Sequence, residues 1–310
     1  MFYPYAMKLI YRYIYSSAPA MLILATLGWG SNTIAGRLAV DEINPMTLIF
    51  LRWGIVVVLI WSVSSKEIIA NWNLVSQKLK WIFFMGAFGL SLFNALFYLA
   101  AHSTTAINLG IIQSIMPAMI LVGSFFLFGS RVNIIQIIGV VLTFVGCAIV
   151  VTKGSINHLL LLTFNNGDLL MLLACLFYAG YSLGLKNRPN VSGLVMMGYF
   201  SIAAFSMTIP LVLIETAIYG FQEPTVKGWY VVLYIALVPS FLSQIFFMRG
   251  VDLIGPSSAG LYANLVPIFS AVMAVIILDE TFSFYHLIAM VIVFSGIYLF
   301  EHHKNTISKS

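Results

Sequence analysis

The chain consists of long apolar runs that alternate with short polar segments. Each run is bounded by charged or turn-forming residues. A helix of about 20 apolar residues is long enough to cross the hydrocarbon core of a bilayer. The pattern therefore predicts ten membrane-spanning helices, at residues 18–36, 46–63, 80–100, 104–128, 133–151, 167–185, 193–218, 229–248, 256–278 and 283–300.

The predicted spans are helical, because backbone groups that face lipid have no water with which to hydrogen-bond. Their continuous apolar character excludes a membrane β-barrel, in which polar and apolar residues alternate. Only the segment AHSTTA separates the third span from the fourth. One bent helix is the alternative there, but the pair is too long for a single crossing. The predicted fold class is an all-α polytopic membrane protein with ten transmembrane helices.

The composition supports this fold class. Of the 310 residues, 61% are hydrophobic and 8% are charged, and the mean hydropathy is +1.00. A soluble domain carries about 25% charged residues. The composition therefore excludes a soluble enzyme, a disordered chain and a nucleic-acid-binding domain. Cys147 and Cys175 both lie inside apolar runs, so no disulfide framework is expected.

The positions of Lys and Arg predict the orientation, because cytoplasmic loops are enriched in both residues. If the amino terminus is cytoplasmic and ten helices alternate, eleven of the fifteen lie on the inner side. They are Lys8, Arg12, Lys66, Lys78, Lys80, Arg131, Lys186, Arg188, Arg249, Lys304 and Lys309. The outer loops hold only Arg37, Lys153 and Lys227. Both termini are therefore predicted to be cytoplasmic, with membrane lipid around the helices.

The chain also resembles itself at an offset of 150 residues. Gly110 then matches Gly260, and Pro117 matches Pro267. Gly and Pro are unfavourable inside helices, so these four are predicted to be hinge or close-packing positions. Each repeat would hold five helices, and an odd number makes the second copy enter the membrane from the opposite side. Two such inverted five-helix repeats are the plan of many secondary transporters.

The repeat predicts how the chain is divided. The expected parts are a cytoplasmic N-terminal segment at 1–17, a first repeat at 18–151, a linker at 152–166, a second repeat at 167–300 and a cytoplasmic tail at 301–310. The two repeats would enclose a shared pocket near the middle of the membrane.

Several segments are similar to one transporter family. The first repeat of the EamA family resembles LGWGSNTIAGRLAV and FLRWGIVVVLI in the first two spans, and NALFYLAAHSTTAINLGIIQSIMPAMILVGSFFLFG in the next two. The second resembles FMRGVDLIGPSSAGLYANLVPIFSAVMAVIILDETFSFYHLIAMVIVFSGIYL. The resemblance, over about residues 18–300, is to the EamA family of the drug/metabolite transporter superfamily. It implies a ten-helix carrier of the bacterial inner membrane, most often an exporter of amino acids or other small metabolites. The family's cavity is lined mainly by helices 1, 3, 4, 6, 8 and 9.

The chain departs from this family at the Gly-Glu pair that the family usually carries after helices 4 and 9. The second copy has Asp279-Glu280, whereas the first reads Gly129-Ser130-Arg131 and lacks the acid. A role that needs both acids is therefore not expected here. For Asp279 and Glu280 we expect a cap on span ten or a contact with a basic residue, and proton coupling is the alternative.

Arg52 lies inside the second span, where a charged side chain costs about 2.5–3.5 kcal/mol on insertion scales. One interpretation places its guanidinium in the cavity, where it would bind an anionic group of a substrate. The other gives it a structural role, either reaching toward the outer surface or pairing with Asp41 or Glu42. Both interpretations of Arg52 are consistent with the sequence. Glu215, near the outer end of span seven, is expected to be a solvated end residue.

Uncharged polar and aromatic residues within the spans are the predicted lining of the cavity. Trp29 and Asn32 are three residues apart, and Asn94 and Tyr98 are four apart, so each pair shares a helix face. Amide and phenol groups suit a polar or amphipathic substrate, because they hydrogen-bond without a full charge. Interhelical hydrogen bonds and an interfacial aromatic belt are the alternatives. The predicted substrate-binding residues are Trp29, Asn32, Arg52, Asn94, Tyr98, Gln113, Tyr178, Tyr181, Gln244, Tyr262 and Asn264.

These features predict a secondary transporter that exports small metabolites, amino acids among the candidates, by alternating access. No GxxxxGK[ST] sequence occurs, so the chain is not expected to hydrolyse ATP. An integral membrane enzyme is a second hypothesis, but no catalytic constellation is recognisable and no catalytic residue is assigned. A channel or scaffold is a third. No cofactor, metal or nucleic acid is expected. A monomer suffices for a carrier, and a homodimer is compatible with it.

Overall fold

The computed structural model describes residues 15–101, 103–104, 106–130, 132–160, 165–277 and 281–302. Over these ranges every regular element is helical and there is no strand. The long helices are α1 Ala18–Leu38, α2 Pro45–Ala70, α3 Leu79–Ala101, α4 Ala106–Gln113 with Met116–Phe128, α5 Ile134–Val151, α6 Asn166–Gly184, α7 Gly193–Tyr219, α8 Val226–Ile254, α9 Pro256–Ile277 and α10 Phe284–His302. A helix is present at each predicted span. The contacts expected of Asp279 and Glu280 lie outside the described residues.

Nine helical segments of the described ranges are long and apolar enough to cross a membrane. Helix α1 is not one of them, although it has 21 residues. Its middle carries the consecutive polar residues Ser31, Asn32 and Thr33, which lower its apolar character. Helices α3 and α4 are separate, as expected, because α3 ends at Ala101 and α4 begins at Ala106.

Local sequence sets many of the helix ends. Helices α5 and α6 begin with capping boxes, in which Asn133 is paired with Gln136 and Asn165 with Asp168. Each asparagine side chain accepts a backbone N–H of the first turn, which otherwise has no partner. Gly129 ends α4 in the left-handed conformation, with φ of 62°, which a glycine adopts without strain.

Both halves of the chain contain the same two irregularities, about 150 residues apart. Helices α3 and α8 each contain a π-helical stretch, at Ala87–Leu92 and Ala236–Leu242. Helix α4 is interrupted between Gln113 and Met116, and α9 narrows to a 3₁₀ turn at Tyr262–Asn264. Such interruptions inside helices are frequent at functional sites.

The helices of the two halves pack against each other in matching pairs. Helix α1 packs on α8 and α9, and α6 packs on α3 and α4. Helix α2 packs on α7, and α5 packs on α10. The last pair approaches closely at Gly139 and Gly296, where a Cβ on either glycine would lie 2.7 Å from the carbonyl oxygen of the other. Small residues allow this approach in membrane helices, which lack a hydrophobic driving force for association.

Polar contacts join the two halves at opposite ends of α2. At one end, Lys227 Nζ donates to Glu42 Oε1 at 3.0 Å, and the Thr225 hydroxyl donates to the other carboxylate oxygen. The Thr225 hydrogen bond, followed by the Lys227 hydrogen bond, lowers the pKa of Glu42 below its ordinary value. We call these interactions the Glu42 contact. At the other end, Ser192 Oγ donates to Glu67 Oε1 at 2.9 Å.

Glu215 is not the solvated end residue expected from the sequence, since only 8% of it is exposed. Its carboxylate accepts the backbone N–H groups of Met46 at 2.8 Å and Thr47 at 2.9 Å. The Thr47 hydroxyl also donates to it, at 3.0 Å. The N-cap residue of α2, Asn44, makes no side-chain cap bond. The acceptor for the positive end of α2 therefore comes from α7, which packs beside it.

Candidate functional site

A cavity of about 90 Å³ lies between the two halves. Helices α1 to α4 line it from the first half, and α6, α8 and α9 line it from the second. Seven of the predicted substrate-binding residues lie on its wall, namely Trp29, Asn32, Arg52, Asn94, Gln113, Tyr178 and Gln244. The structure thus brings together side chains that are up to about 215 residues apart in the sequence.

The irregular helix segments border this cavity. Gly89 and Leu90 belong to the π-helical stretch of α3, and Pro239 to that of α8. Gln113 and Met116 flank the interruption in α4. Broken or widened helix geometry at membrane depth is tolerated where the backbone lines a cavity or is buried in protein. The irregularities therefore shape the wall of the site.

Arg52 is 3% exposed and lies on the cavity wall. Its Nε donates to Ser240 Oγ at 2.8 Å, and its Nη1 donates to Asn94 Oδ1 at 3.2 Å. These bonds tie α2 to α8 and α3. Neither of the predicted acidic partners, Asp41 and Glu42, bonds to it; the Glu42 carboxylate is bound to Lys227 instead. Within the ranges that the structure describes, no salt bridge reaches Arg52.

Aromatic rings also form part of the cavity wall. Trp29 Nε1 donates to the carbonyl oxygen of Pro239 at 3.2 Å, which fixes the indole against the π-helical stretch of α8. The Trp29 ring meets Tyr178 edge to face, with centroids 5.7 Å apart, and lies 5.1 Å from Phe247. Edge-to-face contacts of this kind add to the energy of simple burial. The indole is therefore held in one orientation.

Two polar atoms of the wall are buried and have no hydrogen-bond partner among the described residues. They are Asn32 Oδ1 and the Tyr178 hydroxyl oxygen. The Gln113 amide likewise forms no hydrogen bond within those ranges. Buried polar groups are nearly always hydrogen-bonded, so groups that lack a protein partner are candidates to bind a ligand or water.

Four predicted lining residues lie elsewhere. Tyr181 is buried behind the wall and donates to Gln244 Oε1 at 3.3 Å. Tyr98 packs against an apolar cluster of α1, α2 and α8. Tyr262 is buried in the 3₁₀ turn of α9. Asn264 Nδ2 donates to Thr143 Oγ1 at 2.9 Å, so Asn264 joins α9 to α5, which is the interhelical alternative.

The four predicted hinge or packing residues surround the interruptions in α4 and α9. A Cβ on Gly110 would lie 2.6 Å from Val151, and one on Gly260 would lie 2.5 Å from Ile120. Both glycines therefore allow close helix packing. Pro117 and Pro267 follow the two interruptions, and Pro117 is buried.

The structure adds Ser240, Phe93 and Phe97 to the residues at the site. Phe97 lies three residues after Asn94 and four after Phe93, which is the spacing of one helix face and a signal that could have identified both rings. Ser240 gives no such signal. It lies in the π-helical stretch of α8, where its hydroxyl accepts from Arg52 Nε and donates to Ile235 O, five residues earlier, at 2.6 Å.

These features define an integral membrane protein with a polar cavity between two similar halves. Residues 16–152 and 165–301 each match the model of the EamA-like transporter family. The chain belongs to this family, with two copies of its domain, and is a transporter of the EamA type. No group of three or more His, Cys, Asp or Glu residues that could hold a metal occurs within the described ranges.

Named relatives support the same class. The chain is 27% identical over 292 residues to the uncharacterized transporter YetK of Bacillus subtilis (strain 168), covering 92% of this chain and 85% of YetK. It is 26% identical over 296 residues to an uncharacterized transporter of Archaeoglobus fulgidus, covering 92% and 97%. One solved crystal structure matches with a TM-score of 0.76 at 17% identity, covering 92% of this chain and 96% of the other. At that identity the likeness concerns the fold alone.

Proposed function

We propose that the chain is a secondary transporter that moves small metabolites across the membrane by alternating access. The observation that carries the proposal is the cavity, since polar side chains from both halves meet there beside broken and widened helices. Carriers with inverted repeats hold their substrate at such a place. Amino acids are among the candidate substrates. Export is the direction that the resemblance to the family favours.

We further propose that α1 completes a set of ten crossings, arranged as two inverted five-helix repeats at 18–151 and 167–300. The matching pairs of helices support this arrangement. In the two repeats α1 corresponds to α6 and α3 corresponds to α8, and the α1–α8 packing in the structure has its counterpart in the α6–α3 packing. An inverted pair of repeats can exchange conformations, so one design yields an inward-open and an outward-open state. The segment 152–166 would then connect the repeats.

The distribution of Lys and Arg supports an orientation with both termini in the cytoplasm, in a cell membrane such as the bacterial inner membrane. In this orientation the Glu42 contact lies on the outer side and the Ser192–Glu67 contact on the inner side. Each contact would close one entrance to the cavity. A single chain contains both repeats, so a monomer is sufficient for transport.

The test is a flux assay on purified protein in liposomes. Liposomes loaded with a metabolite mixture should accumulate labelled metabolites by saturable counterflow, which a carrier produces and a channel or scaffold does not. A single candidate amino acid and a neutral sugar serve as separate tracers. Non-saturable flux of every tracer, or chemical turnover of one of them, would contradict the proposal in favour of a channel or an enzyme.

A further inference from the structure

We propose that the transported molecule carries an oxyanionic group, such as a carboxylate, and that Arg52 selects it. The inference rests on the proposed function, because it names the chemistry of the substrate. The observation that carries it is a buried cation, Arg52, on the wall of the cavity, with no salt bridge to a carboxylate of the described residues.

The first step concerns the charge of Arg52. A buried ionised group requires a counter-charge or strong hydrogen bonds, because the surroundings no longer solvate it. The nearby acids serve other partners, since Glu42 binds Lys227 and Glu215 binds the first turn of α2. The hydrogen-bond acceptors of Arg52, Ser240 and Asn94, are neutral, and the Trp53 ring 5.7 Å from its guanidinium carries no net charge either. An anion in the cavity would therefore supply the missing charge.

The second step concerns geometry. A guanidinium has five N–H donors in a planar fork. Ser240 accepts from Nε and Asn94 accepts from Nη1, and Nη2 makes no hydrogen bond to the described residues. The two bonds fix the plane of the group while N–H donors on Nη1 and Nη2 remain available. That end of the fork matches the two oxygens of a carboxylate, which guanidinium groups bind in a bidentate manner.

The third step concerns the rest of the molecule. Asn32 Oδ1 is buried without a partner among the described residues, and Asn32 lines the cavity together with Tyr178. Asn32 Oδ1 can only accept, so it requires a donor such as an ammonium or a hydroxyl. Trp29, Phe93 and Met116 supply apolar surface. The cavity therefore suits a small molecule with an oxyanion, one hydrogen-bond donor and an apolar part, and it repels a molecule with only positive charge.

The experiment measures the electrostatic preference of the cavity without knowledge of the substrate. Gln113→Cys places a thiol on the wall, and the natural Cys147 and Cys175 are buried, so the unsubstituted protein gives the background. The labelling rate is measured for an anionic reagent, sulfonatoethyl methanethiosulfonate, and for a cationic one, trimethylammonioethyl methanethiosulfonate. Each rate is divided by the rate at which the same reagent reacts with a free thiol in solution. The resulting anion-to-cation ratio is compared in backgrounds with Arg52, Arg52→Gln and Arg52→Lys. Arg37→Gln is the matched control, because it removes the same charge from an exposed position.

The proposal predicts a preference for the anionic reagent that falls about tenfold in Arg52→Gln, stays in Arg52→Lys and is unchanged in Arg37→Gln. An unchanged ratio in Arg52→Gln would overturn it. Loss of the preference in both Arg52 variants would also overturn it, because a purely structural bridge to Ser240 and Asn94 predicts that result. Failure of both reagents to reach Gln113→Cys would overturn it too, since the cavity would not admit a charged solute.

A second comparison covers the case in which Arg52→Gln does not fold. With Arg52 intact, the ratio at Gln113→Cys should exceed the ratio at the exposed position Asn73→Cys by about tenfold. Equal ratios would reject the proposal. The outcome is separate from that of the flux assay: counterflow without an anionic preference rejects only this inference, and an anionic preference without counterflow rejects only the transport proposal.

Discussion

Arg52 and Glu215 illustrate two ways in which this chain accommodates a buried charge. Glu215 accepts two backbone N–H groups and a hydroxyl at the start of α2, so its charge is balanced by the positive end of a helix. Arg52 hydrogen-bonds to the neutral acceptors Ser240 and Asn94, lies 5.7 Å from the centre of the Trp53 ring, and is on the cavity wall. The first charge has a structural partner within the protein, whereas the second is the one that we propose to bind the solute.

Asn94 and Gln113 are the two cavity residues whose replacement should impair transport. Replacing either with alanine should lower the rate of counterflow roughly three- to tenfold, because a hydrogen-bonding group of the wall is lost. Membrane insertion should be normal, since neither substitution adds polarity. The exposed residues Asn73 and Gln77 provide matched alanine controls. If both cavity variants transport at the control rate, the placement of the site is incorrect.

Glu215→Gln should destabilise the protein by about 1–2 kcal/mol, because an amide interacts less with the positive helix end than a carboxylate does. The thermal unfolding midpoint in detergent is the measurement. Glu223→Gln is the control, since Glu223 is exposed. Equal midpoints for the two variants would show that the cap on α2 contributes no stability.

At the scale of helices, similar irregularities recur in both halves. The π-helical stretches of α3 and α8 and the interruptions of α4 and α9 border one cavity. By contrast, α5 and α10 are uninterrupted and pack together through Gly139 and Gly296. The irregular helices thus line the site together with α1, α2 and α6, whereas α5 and α10 contribute no residue to its wall.

Gly139→Ala should cost about 1–3 kcal/mol, because the new Cβ would lie 2.7 Å from the backbone oxygen of Gly296 and one helix must shift. The control is Gly180→Ala in α6, where an added Cβ meets nothing within 4 Å. That variant should be neutral or slightly more stable, as alanine favours helix. Thermal unfolding of the two proteins in the same detergent distinguishes them, and equal loss in both would contradict the packing argument.

At the scale of the whole molecule, both ends of α2 are joined to the other half of the chain. The Glu42 contact joins the α1–α2 connection to the α7–α8 connection, and Ser192 with Glu67 joins the halves at the opposite end. A carrier that alternates must break these contacts in turn. Under the proposed mechanism, the strength of each contact would influence which side of the cavity is open.

The Glu42 contact should weaken in acid. The pKa of Glu42 is lowered in the folded protein, first by the Thr225 hydrogen bond and then by Lys227. The stability that the ionised Glu42 carboxylate contributes is therefore fully present above the ordinary pKa of a glutamate, and it is lost as the pH falls through the lowered pKa. Glu42→Gln should mimic this loss at neutral pH. An impermeant thiol reagent added from the outer side should then label Gln113→Cys faster, whereas Glu223→Gln should leave the rate unchanged.

The proposed ten crossings predict that the amino and carboxyl termini face the same compartment. Protease-accessible tags on each terminus, assayed in right-side-out and inverted vesicles, should be cleaved only in inverted vesicles. Tags that are cleaved in different preparations would indicate an odd number of crossings. Such a result would remove the argument for two inverted five-helix repeats.

The positions of the helices are predictable from the sequence, because in a bilayer the length of an apolar run decides whether it spans and backbone hydrogen bonding requires it to be helical. Seven of the cavity residues are predictable for a related reason, since polar groups inside such runs are costly and tend to face a shared interior. The places of Tyr98, Asn264 and Glu215 are not predictable in this way. Each depends on which neighbouring helix lies beside it, and helix pairing is set by packing between segments far apart in the chain.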